Sequence, residues 1–403
     1  MTAIEVLGFI GILLVVGFLA DFFFRKTNLP DILILLALGY VIGPVFGIIS
    51  PAELAPASQI IASLALVVIL FNGGLDLEFA KIMSTAPRAI ALALLGIGAS
   101  MAATAAFAFY LLGWEPMNSL LLGAIIGGTS PAIVMPLLNR AKVPAEVSSV
   151  LNLASAFDGA LVIIIALVVL EVMTTGATGN EFVMAGQVIA VQFIVGAAIG
   201  VAAGFLWLWI LTLLEGETYD DVLTLAIVFL FYFGVESIGG SGVIFALVFG
   251  MILGNGIGVA NFLRIKRTVE IHELMMKFHS QMSFLIKTFF FVYLGLMITF
   301  DEPDLIVGAV GLSFVLLLVR YIVVLLSSMG NRKLMANRGV LTTMLPRGLS
   351  AAVVAEIVVG SAIPGASVYP RIIIIVIVAT VVISAIGIPI FARKPLEEEH
   401  GAK

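Results

Sequence analysis

Asp158 stands eleven residues into an apolar stretch that runs from Val147 to Met173. In its flanks, Ala154 to Phe157 and Gly159 to Val169, Ser155 is the only other polar side chain. An uncompensated carboxylate there is costly, and such a group suits alternate binding and release of a proton under physiological conditions. The alternative is a structural carboxylate tied permanently to Arg320 or Arg347, the two other deep charges.

A second stretch, Met117 to Leu138, contains Gly127-Gly128-Thr129-Ser130-Pro131, with Pro136 beyond. Pro131 lacks an N–H and clashes with the carbonyl of Gly127, and two glycines add backbone freedom, so the helix is expected to break there. At 1.5 Å per residue Thr129 and Asp158 lie about 18 and 16 Å inside their stretches, so the two depths match. A broken helix exposes carbonyl oxygens, and Thr129, Ser130 and Ser155 add hydroxyls, a donor set suited to a hard monovalent cation. Ser155 is three residues before Asp158 and shares its helical face. The plainer reading of the prolines is a packing kink.

Leu345-Pro346-Arg347-Gly348 marks a corresponding break further on. Arg347 suits neutralisation of the facing helix ends. Arg320 is either a counter-charge for Asp158 or a structural cation that snorkels to one face. Glu356 is a candidate external gate, with a solvated rim carboxylate as the plainer expectation. Asn72 hydrogen-bonds either the site or a neighbouring helix.

The elements that must hold these groups follow from composition. The 403 residues are 62% apolar and 11% charged, against roughly 25% charged in a soluble domain. Apolar stretches of membrane-spanning length recur, none with the period-2 alternation of a barrel strand, so an all-α polytopic membrane protein is expected. Thirteen spans can be drawn: Ala3 to Phe24, Leu29 to Ile48, Ser58 to Ala80, Ala89 to Leu112, Met117 to Leu138, Val147 to Met173 and Val183 to Leu214. The rest are Val222 to Ser237, Gly242 to Asn255, Met282 to Phe300, Leu305 to Met329, Val340 to Ile363 and Ile372 to Phe391. The first is expected to be a retained helix, and short loops leave no room for an inserted soluble domain.

Lys and Arg fall in alternate loops: Arg25 and Lys26; Lys81 and Arg88; Arg140 and Lys142; Arg264, Lys266, Arg267 and Lys277; Arg332, Lys333 and Arg338; then Arg393, Lys394 and Lys403. The opposite side holds only Arg371. An external N-terminus, a cytoplasmic C-terminus and an odd number of spans follow, with the cell (inner) membrane as the expected location.

Leu38-Gly39-Tyr40-Val41-Ile42-Gly43-Pro44 resembles Phe249-Gly250-Met251-Ile252-Leu253-Gly254-Asn255, and Gly74 to Phe79 resembles Gly295 to Phe300, at offsets of 211 and 221. Either these are generic small-residue packing motifs, or the chain is a single transporter domain of two inverted six-helix repeats with crossed broken helices. In the second case the first repeat is 1–175, the linking helix 183–214, the second repeat 220–392 and the cytoplasmic tail 393–403, with no regulatory domain expected.

His272 and His279 belong to an expected solvated amphipathic connector, with pH sensing as the alternative, and Asp76 and Glu78 to an entrance or a solvated edge. There is no phosphate loop, metal-ligand cluster or nucleophile triad, so neither enzymatic use of ATP, a cofactor nor a nucleic-acid partner is expected. Cysteine is absent.

Leu70 to Leu75, Gly128 to Pro131, Phe157-Asp158-Gly159, Gly240-Ser241-Gly242, Phe289 to Leu296 and Pro346 to Leu349 together resemble the monovalent cation:proton antiporter superfamily, over nearly the whole chain. The resemblance implies a homodimer in the lipid bilayer with an elevator-like motion, Asp158 as shared cation and proton site, and Arg320 as the arginine of the electroneutral branch. The chain departs from that branch at Phe157 for Asn, Ser130 for Asp, Asn72 for Glu and Leu153 for the Glu that pairs with the arginine. The expected activity is electroneutral 1:1 exchange of Na+, or K+ close behind, for H+; a channel-like K+ efflux protein or a transport-inactive sensor is the alternative.

Overall fold

The computed structural model describes residues 3–27, 30–77, 79–141, 143–175, 180–214, 219–256, 273–361 and 363–392. Expectations for Glu78, Lys142, Arg264, Lys266, Arg267, His272 and the tail 393–403 fall outside these residues, as do the side chains of Arg25, Lys81, Arg140, Lys277 and His279.

The described chain is all-helical: α1 (Ala3–Thr27), α2 (Asp31–Tyr40), α3 (Pro51–Leu75), α4 (Phe79–Leu111), α5 (Pro116–Ile125), α6 (Pro131–Ala141), α7 (Ala145–Thr175) and α8 (Asn180–Leu213). Then come α9 (Asp220–Ser237), α10 (Gly242–Gly254), α11 (Glu273–Leu296), α12 (Pro303–Ser327), α13 (Arg332–Ala336), α14 (Arg338–Thr343), α15 (Leu349–Gly360) and α16 (Val368–Phe391). Among the described residues six helices are long and apolar enough to cross a membrane, from α3, α4, α7, α8, α12 and α16, and six further apolar segments are shorter. The protein is a multi-pass membrane protein.

Proline opens several helices at a first-turn position where its missing N–H costs nothing: Pro51, Pro116, Pro131 and Pro303. Several boundaries differ from those drawn on hydropathy, among them the starts of α3 at Pro51 and α11 at Glu273. Lys81 to Arg88, read as loop, belongs to α4, because Pro87 is tolerated within that helix. The second span ends in a single wide turn, Val41–Val45, around Pro44, whose missing N–H widens the ladder locally. Arg332 and Lys333, placed in a loop, begin α13 under a cap from Asn331, whose side chain accepts from the N–H of both Lys333 and Leu334.

Two spans are broken. α5 stops at Ile125 and α6 starts at Pro131; α14 stops at Thr343 and α15 starts at Leu349. The breaks touch, since the Ser130 N–H donates to the Pro346 carbonyl at 2.9 Å. Gly348 permits this approach: a Cβ there would lie 2.7 Å from Cβ of Ser130.

The two pairs of similar segments pack reciprocally. Gly39 of α2 lies against the Val292 carbonyl and Gly295 of α11, and Gly74 of α3 lies against the Leu247 carbonyl and Gly250 of α10. Each segment of the first half therefore meets the other segment type in the second.

Candidate functional site

Asp158 lies midway along the unbroken α7 and is 1% exposed. Thr129 sits in the break between α5 and α6, where its N–H is released from the helical ladder and turns to the carboxylate. Both the Thr129 N–H, at 3.0 Å, and its hydroxyl, at 2.6 Å, donate to Asp158 Oδ2. Oδ1 has no protein donor. One oxygen is fixed, and the other has no partner among the described residues.

Two guanidinium groups stand behind this carboxyl. Arg347, 3% exposed, donates to the Gly127 carbonyl at the end of α5 (3.0 Å) and to the Ser100 hydroxyl (3.4 Å), while its own N–H donates to Thr380. Arg320 of α12 donates through Nε to the Leu341 carbonyl of α14 at 3.4 Å. Each cation thus sits on carbonyls beside a helix interruption, where partial negative charge collects. Both charges act on Asp158 through space, but neither makes an ion pair with it. The carboxyl is held near positive charge without being captured by it.

A cavity of about 540 Å³ is lined by Ser130, Pro131 and Gly159, next in sequence to Thr129 and Asp158, together with Ser350, Asn72 and Asp76. Asn72 donates to the Ser283 hydroxyl at 2.8 Å, and its Oδ1 has no donor. Ser130 lines the cavity with its backbone committed to Pro346. Ser155 is buried on the face of Asp158, but its hydroxyl donates to the Asn152 carbonyl at 3.0 Å. The structure joins Thr129 to Asp158 directly, sets Ser130 and Asn72 on the cavity wall, and leaves Ser155 tied to its own helix.

The expectation that Glu356 is a solvated rim carboxylate is wrong. It is 2% exposed, in contact with Ser58 of α3 and Tyr293 of α11. Only four residues before the end of α15, it is still within the packed region, because α3 and α11 pack over that part of the helix.

Asp21, Asp31 and Lys287 are missing from the sequence-derived list. Lys287 lines the cavity along with Asp21, and it is ion-paired to Asp31 at the start of α2. The signal available in the sequence was an ionisable residue inside each of the drawn spans that contain them. Among the described residues no three His, Cys, Asp or Glu cluster as a metal site.

A family model described as sodium/hydrogen exchanger, transmembrane, matches residues 10–394. The chain belongs to the sodium/hydrogen exchanger family. Within that family it is 24% identical over 379 residues to the K(+)/H(+) antiporter NhaP2 of Shewanella baltica, covering 91% of this chain and 63% of that protein. It is 26% identical over 308 residues to the probable Na(+)/H(+) antiporter 2 of Methanocaldococcus jannaschii, covering 73% and 70%. The chain thus spans less than two thirds of the length of the NhaP2 relatives. The exchanger fold is matched by the sodium proton antiporter MjNhaP1 from Methanocaldococcus jannaschii, with a TM-score of 0.81 at 22% identity over 99% of this chain and 100% of that one.

Proposed function

We propose that the protein is a secondary active antiporter that exchanges one monovalent cation for one proton at Asp158. The observation that carries this reading is the half-satisfied carboxyl: Oδ2 is held by Thr129 and Oδ1 is buried without a protein donor, while the neighbouring residues Ser130 and Gly159 line a cavity. A proton and a cation both need that oxygen, so the two compete.

The charge balance supports 1:1 stoichiometry. Asp158 with Arg320 and Arg347 carries a net +1 when empty, and either H+ or a monovalent cation raises it to +2. The loaded site has the same charge with either passenger, so the exchange is electroneutral and insensitive to membrane potential. Arg320, lacking the glutamate that Leu153 replaces, spends its hydrogen bond on Leu341, and Arg347 steadies the α5 end.

Sodium comes first and potassium close behind. Small hard cations suit a compact oxygen site, and relatives are named for both ions. Thr129 and Ser130 supply neutral oxygens where the family commonly has a second carboxylate. The reciprocal packing of α2 on α11 and α3 on α10 supports two inverted repeats joined by α8, as in other alternating-access transporters. With the N-terminus outside and the C-terminus cytoplasmic, the cavity faces the cytoplasm of the inner membrane. The working unit we assign is a homodimer in the bilayer that contributes to pH homeostasis.

The test is reconstitution into vesicles with an imposed pH gradient, adding Na+, K+ or Li+ in turn with the membrane potential clamped at several values. The proposal expects cation-dependent proton movement whose rate is independent of potential. Proton movement without added cation, or a strong dependence on potential, contradicts it.

A further inference from the structure

The cavity is lined by Gly159, next to Asp158, and by Ser350 of α15, whereas Glu356, further along the same helix, is not among its lining residues. Ser58 is fourteen residues from cavity-lining Asn72 along α3, about 21 Å at 1.5 Å per residue. Tyr293 is six residues beyond Lys287 on α11, and Glu356 is six beyond Ser350 on α15, each about 9 Å past the cavity wall. The cluster therefore joins three helices at a distance from the cavity.

Its hydrogen bonding points to a neutral carboxyl. Glu356 Oε1 is 2.5 Å from the Ser58 hydroxyl, which also donates to the Ala55 carbonyl at 2.9 Å. One hydroxyl hydrogen cannot fill both bonds, and a carboxyl proton fills the second. Oε2 has no donor, and the Tyr293 hydroxyl reaches Oε1 only at 3.4 Å. Helices α3, α5, α7, α11 and α16 pack on α15. Among their described residues Tyr293 is the one titratable group that faces Glu356, and no Lys, Arg or His pairs with it. An ionised carboxylate in that place would be buried without compensation.

We infer that Glu356 is a second proton-binding carboxyl, which latches this side shut while protonated and opens it on giving that proton up. The inference rests on the alternating access proposed above. Loss of the proton turns the Glu356–Ser58 contact into a buried charge that must find water, which pulls α15 away from α3 and α11. Glu356 takes and returns its proton on the same side, so it adds nothing to the transported charge. It also puts a negative charge on the newly opened path, where a cation arrives.

The chain has no cysteine, so single thiols report opening directly. Ala62, one turn inward from Ser58 and 1% exposed, is replaced in Ala62→Cys. Ala52→Cys, at the exposed start of α3, corrects for intrinsic thiol reactivity. An impermeant maleimide is applied from the Glu356 side over a pH series. We expect the corrected labelling of Ala62→Cys to rise severalfold from acid to alkaline pH, and the added Glu356→Gln to abolish that rise. Added Ser58→Ala, which weakens the latch, should raise labelling at acid pH. An equal rise with Glu356→Gln, or no labelling of Ala62→Cys at any pH, overturns the inference. The labelling requires no transport, so it is repeated in Asp158→Asn, and failure of either proposal is visible apart from the other.

Discussion

Thr129 gives both its N–H and its hydroxyl to the same oxygen of Asp158, at 3.0 and 2.6 Å, and so fixes which oxygen is open. A hydrogen bond to a charged partner contributes about 1.5–3 kcal/mol. Thr129→Val keeps the backbone bond and loses the hydroxyl. The half-saturating cation concentration in vesicle exchange should rise about tenfold or more, since 1.4 kcal/mol is a factor of ten. Thr129→Ser should remain close to the parent, and equal behaviour of the two variants would show that the hydroxyl is unimportant.

Competition for one oxygen fixes the sign of the pH dependence. As pH falls, more Asp158 is occupied by H+, so the apparent cation affinity declines while the rate at saturating cation is reached unchanged. At sufficiently low pH the half-saturating concentration should climb about tenfold per unit, the mass-action limit for one competing proton. Exchange rates measured over a grid of pH and Na+ test this. A fall in maximal rate with unchanged half-saturation would mean that proton and cation do not share the site.

Lys287 stands on the cavity wall with its charge matched by Asp31. In Asp31→Asn the ammonium is left unmatched on the cation's approach, so cation capture should weaken severalfold at low ionic strength and recover in salt. Adding Lys287→Met should restore it. If the double variant is as impaired as Asp31→Asn, the pair acts through folding instead.

The crossing of the two breaks leaves no room beside Gly348. Gly348→Ala should destabilise the protein by about 1–3 kcal/mol, the usual cost of overpacking. Thermal unfolding in detergent reads this, with Gly73→Ala, where a Cβ meets nothing within 4 Å, as the comparison. An equal effect of both substitutions would place the cost elsewhere.

Asp158, Thr129 and the two breaks were legible because each violates a local rule of an apolar helix: a charge, a freed N–H, a proline beside glycine. Hydropathy also located most helices, since membrane spans advertise themselves by length. What it left out depends on how helices pack against one another. Glu356 reads as a rim group until α3 and α11 are seen to cover it, and Lys287 near a span end is unremarkable until Asp31 arrives from α2. Ser155 shows the reverse error: its helical position aims it at Asp158, yet a nearer backbone carbonyl takes its hydrogen bond.

The most direct test compares the parent with Asp158→Asn in vesicles carrying a pH gradient, recording proton movement on addition of Na+ or K+. Asparagine retains the shape and the bonds from Thr129 but cannot hold a proton or offer a charge to a cation. The account predicts that cation-dependent proton movement disappears in Asp158→Asn while the folded protein is recovered in full. Exchange that persists in that variant would contradict it.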